Sequence, residues 1–207
     1  MTDHPASHNS TEHFGKSRAP LATASPTEAS RGRSAPDASG VLHGACESLR
    51  QGRELLEKMD ANQYGRSCPQ AFDATIGQHF RHCLDHFDMF LRQIDLGEIN
   101  YDLRERQPGL ETSPIQALDK IRVIEKSIGA LSESRLSCTV NLLAGVGENT
   151  VYLCETTVAR ELYYVTAHAI HHYALIAVIA NHLELELPVN FGVAPSTVAY
   201  LATRTRA

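Results

Sequence analysis

The chain has 207 residues, 43% of them hydrophobic and 21% charged, which is enough apolar material for one core and one folded domain. A formal net charge of −5 and a sequence pI of about 6.1 exclude a broad basic surface for phosphates, so neither nucleic acid nor an anionic membrane is an expected partner. Apolar runs such as YALIAVIA fall short of the roughly 20 residues a spanning helix needs. The five cysteines include no CxxC pair, which disfavours a disulfide framework or a cysteine zinc site. Together these features predict a soluble, cytoplasmic protein.

Residues 1–39 are rich in Ser, Thr, Ala, Pro and His without apolar periodicity, and are read as a disordered tail ahead of a domain over 40–207. A first helix is expected across VLHGACESLRQGRELLEKMD, with Val41, Ala45, Leu49, Leu55, Leu56 and Met59 at helical spacing, before ANQYGRSCP breaks the pattern. A second helix is predicted through AFDATIGQHFRHCLDHFDMFLRQIDL, its stripe formed by Phe72, Ile76, Phe80, Cys83, Phe87, Phe90 and Ile94 and its stop at Gly97. After a long polar connection, Ser113 caps a third helix with Pro114 in its first turn.

Two alternating, β-branched runs, RLSCTVNLL and TVYLCE, are separated by AGVGEN and predict a hairpin. The fourth helix begins near Val158 behind Thr157, and a short C-terminal helix is expected at APSTVAYLATR with Ser196 or Thr197 as its cap. The fold class is therefore all-α: a four-helix bundle with a long crossover connection and a small β-hairpin inserted before the last main helix.

Histidine is concentrated on two of these helices. In ELYYVTAHAIHHYALIAVIANHL, the core stripe of Leu162, Val165, Ala169, Ile176, Ile179 and Leu183 takes in His168 and His172, one turn apart; His171 lies to one side and His182 near the end. A buried imidazole has a donor and an acceptor to satisfy, and leaving either unpaired costs about 1–3 kcal/mol. Imidazoles at i and i+4 converge on one point, which suits a metal ion. The spacing alone is common, but the second helix adds His79, His82 and His86 on one side. Two clusters at mid-helix can meet in a bundle core.

The carboxylates Asp85, Asp88 and Glu161 are candidate orienting partners, or else solvated helix faces. Ala169 follows His168, so the zinc-protease motif, with its Glu at that place, is absent. Arg104, Arg106, Glu111 and Tyr101 in the crossover either recognise an anionic substrate or pin the loop.

TIGQHFRHCLDHF and VTAHAIHHYALIAVI resemble the second-helix and fourth-helix segments of the DinB-like superfamily, also called bacillithiol-transferase-like proteins, over about residues 41–185. The resemblance implies three histidine ligands, His82, His168 and His172, for a divalent metal, zinc or nickel first and iron next. The helical wheel by itself ranks His79 above His82, so His79 and His86 stay open as alternative ligands, and His171 as an outer partner. The resemblance further implies a homodimer acting on a small molecule, a low-molecular-weight thiol among the candidates. The expected chemistry is that of a metal-dependent transferase, isomerase or hydrolase using a metal-bound thiol or water. The alternative is a non-catalytic dimeric bundle with a structural metal in a stress or binding role.

Overall fold

A computed structural model describes residues 38–147 and 150–204. The segment read as a disordered tail lies outside the described residues, apart from its last two positions, which already belong to the first helix. Helix α1 spans Ala38–Leu56 and is followed by a short α2, Ala61–Gly65. The sequence reading missed α2, taking ANQYG as a break. Asp60 and Gln63 form a capping box there, each side chain bonding the other's backbone N–H, and this holds five residues helical despite weak propensity.

Helix α3 runs over Ile76–Gln93 and starts four residues later than Phe72, which the sequence reading placed on the core stripe. Phe72 is 99% exposed with φ of 57°, in a turn closed by the Cys68–Ala74 bridge. The cause is local: Thr75 and Gln78 form a second capping box that sets the first turn at Ile76. From Ile76 onward the expected stripe holds, with Ile76, Phe80, Cys83, Phe87, Phe90 and Ile94 buried. A short strand β1, Glu98–Ile99, leads into the crossover and to α4, Pro108–Thr112.

Helix α5, Pro114–Gly129, begins as expected with the Ser113 hydroxyl accepting from the Gln116 N–H. A single turn, α6, Glu133–Leu136, then takes residues expected to open the hairpin, because Ser132 caps it. Strands β2, Thr139–Gly147, and β3, Thr150–Thr157, pair antiparallel and carry the ladder through most of the expected loop, with a bulge between Gly145 and Gly147. β1 adds to β2 in parallel, giving the order β1-β2-β3, a third strand the sequence did not predict.

Helix α7, Val158–His182, starts where expected, with Thr157 accepting from the Arg160 N–H. Helix α8 covers Pro195–Arg204, so Ser196 and Thr197 lie inside it rather than capping it; the Thr197 and Val198 N–H groups both reach the Ala194 carbonyl.

The protein is thus mostly helical with a small sheet. α3 packs on α7 and α5, and α1 packs on α5 and α7. Between them lies one core containing Leu49, Phe80, Phe87, Ile121, Leu162 and Ile176, each side chain contributing about 1.5–3 kcal/mol by leaving water. By length and hydropathy α7 matches a membrane-crossing helix, yet its apolar stripe faces α1 and α3. Downstream, the turn at Asn190–Gly192 folds back on α7. Phe191 stacks on Tyr173 at 4.7 Å, and Gly192, at φ of 71°, approaches the Tyr173–Ala174 backbone too closely for a side chain.

Gly77, in the first turn of α3, is where α4 comes nearest. A Cβ there would strike the Glu111 carbonyl, a backbone group that cannot swing aside. Alanine normally favours a helix over glycine by about 1 kcal/mol. At this position the clash decides the sign: Gly77→Ala is expected to destabilise by about 1–3 kcal/mol in urea titration, and a stabilised variant would contradict the packing described.

Candidate metal centre

The α3–α7 contact brings the two histidine clusters face to face. His82 Nε2 lies 2.8 Å from His168 Nε2, and one ring nitrogen from each of His82, His168 and His172 falls within 4.8 Å of the others, a group able to hold a metal ion. The ring centroids confirm the convergence: His82 to His172 is 4.5 Å, His168 to His172 4.6 Å and His82 to His168 4.9 Å. All three are half-buried, so the group is reachable from solvent rather than sealed.

The other expected histidines separate by position. His79 Nδ1 stands 2.9 Å from His172 Nδ1. His86 is buried, its ring 4.4 Å from His82 and 4.5 Å from His168, and its Nδ1 is 2.7 Å from the His82 carbonyl. A carbonyl only accepts, so His86 carries its proton on Nδ1 and keeps the Nε2 lone pair. His171 is exposed, 5.4 Å from His172 between centroids, and His182 is exposed at the end of α7.

Partial burial and mutual crowding keep these rings neutral. His82 is pushed down to about 3, His168 to about 4 and His172 to about 3, in each case first by loss of water and then by neighbouring imidazoles. Burial also lowers His79 and His86. Unprotonated imidazoles are the form a metal requires, so the donor set fits a divalent cation.

The nearby carboxylates are not the solvated faces that one sequence reading allowed. Glu161 is fully buried and accepts from the Tyr101 hydroxyl at 3.0 Å, the Thr156 hydroxyl at 3.0 Å and Arg160 at 2.9 Å. Asp85 is buried beside Arg81 at 3.7 Å, and loss of water raises its carboxyl to about 6 against the pull of Arg81 and Arg104. Asp88 pairs with Arg92 and Lys120 at the edge. Among the described residues no carboxylate bonds an imidazole, so these three acids do not take the orienting role that the other sequence reading allowed.

The crossover is pinned in several places. Glu111 meets Arg81 at 2.9 Å, and Arg104 donates to the Tyr101 carbonyl at 2.9 Å, while Arg106 is exposed. Tyr101 stacks on His86 at 5.6 Å, and Tyr164 on His168 at 5.9 Å, so two phenols wall one side of the cluster. The sequence reading passed over Tyr164. Its place four residues before His168, one turn along the same helix face, was the available signal.

These observations define a helical protein with a three-histidine centre between two packed helices. A family model described as the DinB superfamily matches residues 47–176, and the chain belongs to that superfamily. A curated relative, the FK506-binding protein 5 of Rhizopus delemar, is 36% identical over 105 residues, covering 50% of this chain and 27% of the relative. The chain therefore spans about a quarter of that protein's length.

The pH response of the metal-free protein follows from the lowered imidazole values. Between about 6.5 and 4 the unfolded chain takes up protons at these histidines while the folded one does not, so stability falls as pH drops through this window and is flat above it with respect to these groups. Asp85, raised to about 6, acts in the opposite sense between about 4 and 6, but it is one group against several. Urea midpoints of metal-free protein are expected to decline from pH 7 to pH 4.5, more steeply than those of a variant with His82, His168 and His172 all replaced by Asn; equal slopes would refute the assignment.

Proposed function

We propose that this protein is a divalent-metal-dependent enzyme on a four-helix bundle of α1, α3, α5 and α7, acting on a small molecule through a thiol or a water molecule. The observation that carries this reading is the convergence of three half-buried imidazoles, from two helices, with ring nitrogens within 4.8 Å and no carboxylate among them. His82, His168 and His172 would hold the ion; neutral nitrogen donors suit zinc, nickel and iron alike, and the family resemblance puts zinc or nickel before iron. A divalent ion held there supplies a Lewis acid that lowers the pKa of a thiol or water in its remaining positions.

The chain's own residues shape what can approach. With three neutral ligands the ion's full charge stays uncompensated, which favours an anionic co-ligand such as a thiolate. Arg104 adds a positive charge close enough to depress His82, His86 and His168, and forms no ion pair among the described residues. Tyr101 and Tyr164 offer an aromatic wall for an apolar portion of the substrate. His86, with its Nε2 lone pair free, stands beside the ligand group as a proton acceptor. A transferase, isomerase or hydrolase fits this arrangement, with a low-molecular-weight thiol as co-substrate of the first. A cytoplasmic location and a homodimeric state belong to the same reading, from the cysteine usage and the family resemblance.

Elemental analysis of protein purified without a tag or added metal is expected to find about one divalent ion per chain. His168→Ala should weaken that binding by more than the about 10–100-fold typical of losing an outer partner. It should also abolish conjugation of a thiol to an electrophile. Wild-type protein that holds no metal, and whose melting is unmoved by added zinc, would sink the proposal.

A further inference from the structure

His79 was a rival for the ligand role and stands outside the three-imidazole group, yet it makes a specific contact with one member. Its Nδ1 lies 2.9 Å from Nδ1 of His172, with the rings tilted at 44° and centroids 5.2 Å apart, so the nitrogens face each other rather than the ring planes. Two imidazole nitrogens at that distance either converge on one cation, as those of His82 and His168 do in the proposed site, or share a proton; His79 is not in the ligand group, so here one of the two carries a proton. The identity of the donor follows from the ligand role of His172. A neutral imidazole that lends one nitrogen to a metal holds its proton on the other. Because Nδ1 of His172 is turned to His79, its proton is on Nδ1 and its free lone pair on Nε2. His79 must then accept at Nδ1 and keep its own proton on Nε2.

We infer that His79 is a positioning residue of the metal centre: it accepts a hydrogen bond from His172 Nδ1–H, and thereby fixes His172 in the tautomer and ring orientation that present Nε2 to the ion. The inference rests on the proposed metal-site reading and assigns the role that neither helical periodicity nor the ligand group gives His79. Outer partners of this kind are usually carboxylates or backbone carbonyls. A neutral imidazole in that place pulls less on the Nδ1 proton than a carboxylate would, so His172 becomes a weaker donor and more of the ion's charge remains for an exogenous ligand. The acids that could have served stand elsewhere: Asp85 lies 3.7 Å from Arg81 and bonds no imidazole, and Glu161 accepts from Tyr101, Thr156 and Arg160. Helix α3 thus contributes at two levels, His82 to the ligand group and, one turn earlier, His79 behind His172.

The test measures zinc affinity by chelator competition for the wild type, His79→Leu and His79→Asn, with X-ray absorption counting the imidazoles on zinc. Asparagine places its Oδ1 close to where the histidine Nδ1 stood and keeps the acceptor; leucine removes it. The expected result is three imidazoles in all proteins, affinity lowered about 10–100-fold by leucine, and recovery to within a few-fold of wild type by asparagine. Long-range ¹⁵N correlation spectra of the zinc-loaded wild type, which involve no variant, should show His172 protonated at Nδ1 and bound through Nε2. Four imidazoles on wild-type zinc falling to three in His79→Leu would make His79 a ligand and overturn the inference, as would unchanged affinity in that variant or His172 bound through Nδ1. Wild-type protein that takes up no zinc at all would instead remove the metal-site reading on which the inference stands.

Discussion

The structure turns on the side-by-side packing of α3 against α7. Along most of its length this contact is apolar: Phe80 meets Tyr173 at 5.7 Å between ring centroids, and Phe87, Leu162 and Val165 are buried within the same core. On one flank the same two helices set imidazole against imidazole. Hydrophobic burial elsewhere along α3 and α7 holds the helices together and so offsets the cost of partly drying five polar rings. Loss of water keeps those rings unprotonated at neutral pH, which is the state in which they can act as donors to a cation.

The buried acids are handled separately from this seam. Glu161 would be expensive to bury alone, but three donors meet it, and in meeting it they tie the crossover, through Tyr101, to the end of β3, through Thr156, and to α7 itself. Asp85, also on α3, lies 3.7 Å from Arg81, and Arg81 reaches on to Glu111 at the end of α4. Charge is thereby neutralised around the histidines rather than among them. This leaves the three-imidazole group without a charged neighbour bonded to it among the described residues.

Much of the helical layout was legible in the sequence because its determinants are local. The stripe from Ile76 to Ile94, the Ser113 cap with Pro114 behind it, and the Thr157 start of α7 each depend on residues within a few positions of one another. The misreadings share a cause. Phe72 looked like a core residue because apolar identity was counted without the capping box at Thr75 and Gln78, and the capping pair at Asp60 and Gln63 was likewise overlooked at α2. Strand β1 was invisible since two residues carry no pattern, and only the passage of β2 alongside them makes a ladder.

For the centre, the sequence by itself determined that His168 and His172 share the inward face of one helix and that His79, His82 and His86 share a side of another, because helical period is a property of the chain. Between His79 and His82 its two signals disagreed. The wheel preferred the first, and the family resemblance implied the second. Only the tertiary structure decided which nitrogens meet, since that depends on the register of α3 against α7. In that register His82 faces His168, His79 falls behind His172, and His86 turns its Nδ1 to a backbone carbonyl.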